Sequence, residues 1–372
     1  MSDDPRGIDG IGATTISTGE IDRALRDLWA GEGDRVTRAC LFNLIAYGTD
    51  AGLTAEAAQA TSALAEHSPC RAIVITAQPN APTSSPEAVV GGFCKLTSDK
   101  GKQVCCEQIA VQAAGDARRS LPALVASLLI GDVRVLFWPL GDAIVSDDLA
   151  PRFVSTADRT IINSGDFSDP RAGFRATTRL WGGPGGEERD VSDLCWMHCL
   201  PWREALAELL DPPAYRPLLD SIARVRISYA GHLPWPRGGA QALLYAAWLA
   251  GSLGWTAQSG VKATKTATHL AARAGGRAVA ITLEPGGAGP PPGPITGVEI
   301  VGDGEGASLA LSPDGAAVRG VCNAATDCHL RSTRPLPRLE TANLLAGAIQ
   351  LHSRQAAWRS ALAAMQPWIG PE

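Results

Sequence analysis

The chain has 372 residues, of which 45% are hydrophobic and 19% are charged, the balance of a globular protein that folds in water. The net charge of −5 disfavours binding to nucleic acid, and no apolar run reaches the roughly 18 residues that a membrane span needs. We therefore expect neither a nucleic acid nor a membrane among the partners, and the length predicts two domains.

The amino-terminal segment, residues 1–19, is acidic and lacks the apolar core of a secretory signal. We predict that it forms a disordered tail. The nine cysteines then indicate a reducing compartment, in which thiols are free, bound to a metal or regulatory. Together these observations predict a cytoplasmic protein.

The first predicted domain, residues 20–181, alternates helices with strands. Helical spacing of apolar residues predicts helices over Ile21–Ala30 and Thr54–Glu66. Val36–Tyr47 is apolar on both faces, which favours a strand but leaves a buried helix as an alternative. Two further strands are predicted on either side of a Pro- and Ser-rich loop (78–88), namely Arg71–Ala77 and Val89–Thr97.

The stretch from Lys102 to Phe167 reads as strand, helix, strand, helix, strand. Its first helix carries an apolar stripe at helical spacing, formed by Leu121, Leu124, Val125, Leu128 and Leu129. Val133–Trp138 is apolar apart from Arg134 and does not alternate, as in a parallel strand covered on both faces. This pattern predicts an α/β domain with a partly parallel sheet and a βαβαβ core. The strand-to-helix junctions carry no Gly-rich phosphate loop, so no cofactor is predicted.

A Gly- and Pro-rich linker (182–190) is predicted to precede a second domain, residues 191–372. The elements predicted there are helices over Pro201–Leu210 and Ala240–Leu253, strands over Ile222–Tyr229, 264–272, 277–284, 295–301, 307–312 and 316–322, and a long helix over Leu339–Met365. The predicted fold class is therefore α+β, with an antiparallel sheet and a long carboxy-terminal helix.

The six histidines are scattered singly, so their spacing assembles no acid–base set. Cys105 and Cys106 are adjacent in a predicted strand, and their side chains point to opposite faces. A disulfide between these two would need a distorted backbone, so we interpret both as small packed hydrophobic residues. Glu107, on the face of Cys105, is expected either at a strand end or paired with a partner.

A zinc site is a further alternative that the spacing allows. Cys195, His198 and Cys199 share one helical face, and the group Cys322, Cys328 and His329 could complete such a site. Neither group has the CxxC pattern of structural zinc, which favours packed or free thiols. No metal is therefore predicted.

Cys322 and Cys328 flank the short polar segment NAATD beyond a predicted hairpin. A loop of that length can bring two Cα atoms to the roughly 5.5 Å that a disulfide prefers, which makes the pair a candidate redox switch. The alternative is a solvated connector with idle thiols. The basic side chains that follow, Arg331, Arg334 and Arg338, are interleaved with prolines and are candidate contacts for an acidic partner.

Several runs carry a resemblance by their order and spacing: HSPCRAIVI, QVCCEQIAV, SLLIGDVRVLFWPL, LAPRFVSTADRTIINSGDF, DVSDLCWMHCLPWREALAELLDP and QALLYAAWLAGSLGW. The chain resembles the OpcA family of glucose-6-phosphate dehydrogenase assembly proteins, most nearly its cyanobacterial branch. The resemblance implies a protein without catalytic activity of its own. Such a protein binds glucose-6-phosphate dehydrogenase, promotes its active oligomer and raises its affinity for substrate, thereby gating the oxidative pentose phosphate pathway.

The resemblance also implies redox control through thioredoxin, and Cys322 with Cys328 is the pair that fits this role. A competing hypothesis is an enzyme of the same sugar-phosphate pathway. Its pocket would lie at the carboxyl ends of the parallel strands, near Trp138 and Ser164, where open α/β sheets bind ligands.

Overall fold

The computed structural model of the chain describes residues 11–30, 36–65, 68–96, 103–182, 189–213, 215–232, 235, 238–286, 294–303, 308–323, 329–336, 340–350 and 356–370. The chain divides into two compact units. Unit 1 lies within Met1–Asn163, Arg179–Ser192 and Glu340–Leu351, and unit 2 within Ser164–Thr178, Asp193–Leu339 and His352–Glu372. No helix in the described ranges has both the length and the apolar character needed to cross a membrane.

Unit 1 is built on one mixed sheet. Its strands are β1 (Ile11–Ser17), β2 (Val36–Arg38), β3 (Phe42–Gly48), β4 (Arg71–Gln78), β5 (Ser84–Leu96), β6 (Gln103–Ala114), β7 (Arg134–Pro139), β8 (Arg159–Ile162) and β9 (Asp190–Asp193). The helices in this part of the chain are α1 (Ile21–Trp29), α2 (Ala51–Ala65), α3 (Leu121–Leu128), α4 (Ala143–Ser146), α5 (Ala150–Thr156) and α6 (Pro170–Gly182).

The sheet of unit 1 has the strand order β1-β5-β6-β4-β3-β7-β8-β9, and β2 pairs with β6. The five strands from β6 to β8 in this order are parallel to their neighbours, whereas β5 and β1 add antiparallel pairs. The predicted partly parallel sheet is thus confirmed. Helices do connect β6, β7 and β8 along the chain, but β4 and β3 lie between β6 and β7 in the sheet.

Both faces of the parallel strands are covered, which explains their continuous apolar sequences. All seven residues of β3 are buried. On one face Tyr47 packs against Phe153 of α5 with ring centroids 5.0 Å apart, and Phe153 stacks on Phe137 of β7 at 5.6 Å. These rings join Ile45 and Ile73 in one continuous core.

Two local predictions for unit 1 are wrong. Residues 11–17 of the predicted disordered tail form β1, which pairs antiparallel with β5 from Ile11 opposite Gly92 to Ser17 opposite Glu87. The predicted loop 78–88 overlaps the beginning of β5, at Ser84. Both errors come from pairing between strands that local composition does not reveal: Ser84 pairs with Ala114 of β6, and β1 pairs with the other edge of β5.

Unit 2 is built on an eight-stranded sheet. Its strands are β10 (Ile222–Tyr229), β11 (Thr256–Ala263), β12 (Thr268–Ala274), β13 (Arg277–Pro285), β14 (Ile295–Gly302), β15 (Ser308–Asp314), β16 (Ala317–Asn323) and β17 (His329–Pro335). The remaining helices are α7 (Leu194–His198), α8 (Leu200–Leu210), α9 (Arg216–Ser221), α10 (Ala240–Ser252), α11 (Thr341–Gln350) and α12 (Ala356–Ile369). Of these, α11 belongs to unit 1.

The strand order of this sheet is β11-β12-β13-β10-β14-β15-β16-β17. The predicted antiparallel sheet needs one correction, because β10 and β13 pair in parallel, with Val225 opposite Ile281. The chain leaves β10 through α10, and such a helical connection permits parallel pairing. Burial alternates along the strands, as on β12, where Leu270 is buried and His269 is exposed, so one face of the sheet meets the core.

The single long helix predicted over Leu339–Met365 is described as two helices, α11 and α12, with residues 351–355 lying outside the described part. Strands β11 and β17 were not predicted. The predicted linker 182–190 falls mostly outside the described residues, so the predicted domain boundary stays a prediction.

Candidate functional site

The predicted redox pair is only half described. Cys322 lies on β16, opposite Leu309 of β15 and Leu330 of β17, and only 1% of it is exposed. Cys328 lies outside the described residues. The bond between these two cysteines therefore stays a prediction.

The predicted basic contacts lie on or beyond β17. The Nε atom of Arg334 donates to Oε2 of Glu208 at 2.8 Å, and the hydroxyl of Ser332 donates to the same oxygen at 2.6 Å. The bond from Ser332, with help from Arg334, lowers the pKa of Glu208. Arg331 belongs to β17 without a described side chain, and Arg338 is outside the described residues.

The two helical cysteines of the zinc alternative, Cys195 and Cys199, are packed into the interior of unit 2. Burial raises the pKa of Cys199 to about 12, and its Sγ lies 3.7 Å from the carbonyl oxygen of Gln241. Burial likewise raises the pKa of Cys195 and lowers the pKa of His198. Across the described ranges, no three Cys, His, Asp or Glu side chains are arranged to hold a metal ion.

A buried carboxylate in unit 2 was not predicted. Asp193 Oδ1 accepts hydrogen bonds from the backbone N–H of Ser164 at 3.0 Å and of Cys195 at 2.9 Å, and Oδ2 accepts one from the Ser164 hydroxyl at 2.7 Å. Burial outweighs these three donors and raises the pKa of Asp193 to about 6. The group caps α7, which is a structural role.

The carboxyl edge of the parallel strands in unit 1 is the usual ligand edge of such a sheet, at the point between β3 and β7 where the strand order reverses. Here this point is packed. A Cβ atom on Gly48 would lie 3.1 Å from Cβ of Leu140 and 3.2 Å from Cγ2 of Thr54, and one on Gly141 would lie 3.0 Å from Cδ1 of Leu53. The chain's own side chains fill this crevice.

The charge at this edge also disfavours an anion. Asp50 Oδ1 accepts the backbone N–H of Leu53 at 2.9 Å, so a carboxylate caps the amino end of α2, where a dinucleotide phosphate would bind. Trp138, named in the enzyme hypothesis, is 3% exposed. Ser164, the other residue named there, is buried and bonded to Asp193 as described above.

A polar network braces the same edge. The Tyr47 hydroxyl donates to Asp147 Oδ1 at 2.7 Å, and Arg118 donates to Asp147 at 3.0 Å and to Asp148 at 2.6 Å. Burial and the bond to Asp147 raise the pKa of Tyr47. These bonds join the end of β3 to the turn after β6 and to the segment before α5.

The opposite, amino edge of the strands holds a cavity of about 200 Å³. Arg71 and Glu107 form an ion pair in its wall, with Arg71 Nε 2.9 Å from Glu107 Oε2. Arg71 also donates to the carbonyl of Leu128 at 2.7 Å, and the indole N–H of Trp29 donates to Glu107 Oε1 at 3.0 Å. The prediction that Glu107 is paired is therefore confirmed.

Sulfur dominates the rest of this wall, which includes Cys40, Cys70, Cys105 and Cys106. Cys105 forms a disulfide with Cys94, the residue directly opposite it in the β5–β6 pair. Cys105 is buried, as our interpretation of a small packed hydrophobic residue requires, but it is bonded to Cys94. We missed this bond because we considered the pair with Cys106 and not the neighbouring strand. Burial raises the pKa of Cys40 and of Cys70, and raises that of Cys106 to about 11.

Two family models match the chain in succession. The model described as glucose-6-phosphate dehydrogenase subunit N-terminal domain matches residues 61–179, and the model for the C-terminal domain of the same subunit matches residues 189–362. The chain belongs to the OpcA family of glucose-6-phosphate dehydrogenase assembly proteins. The resemblance seen in the sequence is thereby confirmed for both units.

Curated members of the OpcA family give the same result. The chain is 27% identical over 259 residues to the OxPP cycle protein OpcA of Synechocystis sp., covering 66% of this chain and 50% of that protein. It is 29% identical over 202 residues to the OpcA protein of Synechococcus elongatus, covering 52% of this chain and 42% of that protein. The chain thus spans about half the length of the curated relatives that it matches.

Solved structures resemble this OpcA family member only distantly. The transcriptional regulator Gal80p from Kluyveromyces lactis is 8% identical with a TM-score of 0.47, covering 87% of this chain and 86% of its own. The myo-inositol dehydrogenase from Lactobacillus casei is 9% identical with a TM-score of 0.46, covering 88% and 93%. Scores at this level support no statement about chemistry.

Proposed function

We propose that this protein binds glucose-6-phosphate dehydrogenase in the cytoplasm, promotes its active oligomer and raises its activity, without catalysing a reaction itself. The observation that carries the proposal is the succession of both subunit models over 61–179 and 189–362. Family members are named as a subunit or assembly protein of that enzyme, which supports association with the enzyme as the function.

The packed carboxyl edge supports the non-catalytic part of the proposal. A parallel sheet of this strand order usually binds its ligand there, yet Leu53 and Leu140 occupy the crevice and Asp50 caps the helix that would meet a phosphate. These features disfavour the competing hypothesis of a sugar-phosphate enzyme with a pocket near Trp138 and Ser164.

Activation follows from preferential binding. If the protein binds the active conformer of the dehydrogenase more tightly than the inactive one, it shifts the population towards the active form. Coupling energies of this kind are typically about 1–3 kcal/mol, which corresponds to roughly 5- to 150-fold in affinity. We expect the gain to show as a lower KM for glucose-6-phosphate, together with a larger oligomer.

Redox control is the second part of the proposal, with Cys322 and Cys328 as the switching pair and thioredoxin as the reductant. Formation of the bond would close a ring of a few residues at the end of β16 and alter the surface beside β17. Buried Cys322 lies next to the strand that carries Arg331 and Arg334, so a change at the pair is close to the proposed contact surface.

The test mixes the purified protein with glucose-6-phosphate dehydrogenase of the same organism, under dithiothreitol and under oxidant. Light scattering after size exclusion measures the oligomer, and initial rates give KM and kcat. We expect co-elution, a larger complex and a lower KM, with a difference between the redox states that Cys322→Ser abolishes. Unchanged oligomer size and kinetics would overturn the assembly role, and turnover by this protein alone would overturn the non-catalytic role.

The contact surface has its own test. Charge reversal by Arg331→Glu should weaken binding to the dehydrogenase about tenfold or more, because like charges placed opposite each other at an interface cost several kcal/mol. Arg338→Glu tests the far end of the segment. Arg216→Glu, at an exposed position on α9 that pairs with Asp211 at 4.0 Å, is the matched control. Equal affinities for all three variants would exclude β17 and the segment after it from the interface.

A further inference from the structure

The Cys94–Cys105 disulfide lies beside the place where α1 meets the sheet of unit 1. Gly92 is opposite Glu107 on β5 and β6, and Cys94 is opposite Cys105 one alternation further along the same two strands. Since side chains two residues apart point to the same face of a sheet, the disulfide and Glu107 share one face. That face is the one that α1 covers.

The α1 contact depends on the absence of a side chain at Gly92. A Cβ atom there would lie 2.6 Å from Cη2 of Trp29 and 3.2 Å from Cδ2 of Leu28, so both side chains rest directly on the β5 backbone. The Trp29 indole also donates to Glu107 on β6. Helix α1 therefore packs on both β5 and β6, and this contact requires the two strands to keep their register.

Strand β1 depends on the same segment of β5. Its pairing begins with Ile11 opposite Gly92 and continues to Ser17 opposite Glu87, and among the described strands β1 is an edge strand that pairs with β5 alone. Residues 11–29 thus rest on the part of β5 that the disulfide ties to β6. We therefore expect reduction of the disulfide to loosen β1 and α1 before it loosens the parallel core.

The two sulfur atoms differ in access. Cys94 is half-buried, whereas Cys105 is 1% exposed and lines the cavity at the amino edge. An attacking thiolate therefore reaches the sulfur of Cys94 first. The nearby thiols of Cys40 and Cys70 are held in the protonated form by burial, which makes them poor nucleophiles towards this disulfide.

We propose that Cys94 and Cys105 form a thiol–disulfide exchange site for an external dithiol, and that its reduction releases β1 and α1 from the sheet. One thiolate of the dithiol attacks Cys94 Sγ, the bond to Cys105 breaks, and the Cys105 thiolate leaves and takes up a proton. The second thiol of the dithiol then attacks the mixed disulfide and releases Cys94. Two electrons and two protons pass to the protein, and the dithiol becomes a disulfide.

The inference concerns unit 1 alone and does not depend on any partner, so it stands or falls separately from the proposed function and from the Cys322–Cys328 pair. The probe is dithiothreitol, applied to the full chain over a series of defined redox potentials. Alkylation followed by peptide mass spectrometry reads the state of each cysteine. We expect Cys94 and Cys105 to be protected without reductant and to become labelled together, in one two-electron transition.

Hydrogen–deuterium exchange measures the structural consequence. Reduction should raise exchange in peptides from residues 11–29 by roughly tenfold or more, since removal of a cross-link lowers the free energy of local opening. Peptides from α10 should stay unchanged and serve as the internal reference. The Cys94→Ala/Cys105→Ala variant should exchange rapidly at 11–29 in both redox states.

Two controls separate this pair from the other cysteines. Cys70→Ala removes a buried thiol from the same cavity wall, and Cys322→Ser removes the other candidate switch; both should keep the redox-dependent exchange at 11–29. Labelling of Cys94 and Cys105 in the absence of reductant would overturn the site. Complete reduction with less than a twofold change at 11–29 would overturn the coupling to β1 and α1, whether or not the alanine variants fold.

Discussion

The two ends of the parallel strands in unit 1 have opposite characters. At the carboxyl edge, Leu53 and Leu140 fill the crevice between β3 and β7, and Asp50 caps the adjacent helix. At the amino edge a cavity of about 200 Å³ remains, with an ion pair, a disulfide and thiols in its wall. The edge that such sheets usually give to a ligand is closed, and the usually inert edge carries the reactive groups.

The difference shows that a parallel sheet with this strand order can have its carboxyl edge filled by side chains instead of open to a ligand. Strand order alone makes the carboxyl edge a potential site, but three side chains of ordinary type are enough to close it. A protein that acts by binding another protein has no need of that crevice, and filling it adds apolar packing to the core. The wall of the cavity at the other edge holds the Arg71–Glu107 ion pair and Cys105 of the disulfide at which we propose thiol–disulfide exchange.

The largest expected effect comes from breaking the ion pair at the amino edge. Arg71→Ala leaves Glu107 buried without its cation, with only 6% of its side chain exposed, and should lower the free energy of unfolding by about 3–5 kcal/mol. Urea unfolding measures this loss. The double variant Arg71→Met/Glu107→Gln should lose much less, because no charge is left unpaired; equal losses would show that the pair is not what stabilises this edge.

A slightly smaller effect is expected from opening the packed edge. Leu140 is 6% exposed, and Leu140→Ala should cost about 2–4 kcal/mol through lost burial and the cavity left behind. Leu140→Met is the volume-matched control and should cost less than about 1.5 kcal/mol. If the alanine variant unfolds at the same urea concentration as the wild type, the crevice is not packed as described.

Many regular elements of both units, though not β1, β11 and β17, could be predicted because their periodicity is local. Parallel strands such as β3 and β4 are mostly apolar without alternation, and α1 and α10 show helical spacing, so their positions follow from the sequence within a few residues. The pairings could not be predicted in the same way. Whether β6 lies next to β7 or two strands away depends on contacts between distant segments, which no local pattern encodes.

The Cys94–Cys105 disulfide at the amino edge was missed for a related reason. Cys94 and Cys105 are 11 residues apart in neighbouring strands, but their pairing depends on register. A shift by one residue would place Cys94 opposite Cys106 or Val104 and turn its side chain to the other face. The family resemblance, in contrast, rests on the order of many short runs and needs no register, so it could be recognised before the fold was known.

Asp193 is a second buried carboxylate. It is stabilised by hydrogen bonds, whereas Glu107 is paired with the cation of Arg71. The pKa of Asp193 is raised to about 6, so between about pH 4 and pH 6 the folded state keeps a proton that the unfolded state has released. The stability that this proton provides is fully present below about pH 4 and is lost as the pH rises through 6. At about 1.4 kcal/mol per pKa unit, the loss is about 2–3 kcal/mol.

Asp193→Asn should remove this pH dependence. The Asn oxygen can accept the bonds from the N–H groups of Ser164 and Cys195, and its amide can donate to the Ser164 hydroxyl. Unfolding free energies measured from pH 4 to 8 should therefore flatten for this variant relative to wild type. Asp303→Asn, at an exposed position, is the control and should keep the wild-type slope; parallel curves for wild type and Asp193→Asn would contradict the assignment.

The smallest effect separates charge from packing at the carboxyl edge. Asp50→Ser keeps an oxygen that can cap α2 and should change stability by less than about 0.5 kcal/mol, whereas Asp50→Ala should cost about 1 kcal/mol. Since Leu53 and Leu140 still fill the crevice, we expect neither wild type nor Asp50→Ser to bind NADP⁺ in calorimetry at millimolar concentration. If Asp50→Ser binds NADP⁺ and wild type does not, charge alone keeps this edge closed. In that case packing contributes less than charge to closing the carboxyl edge, and the contrast between the two edges depends mainly on the carboxylate of Asp50.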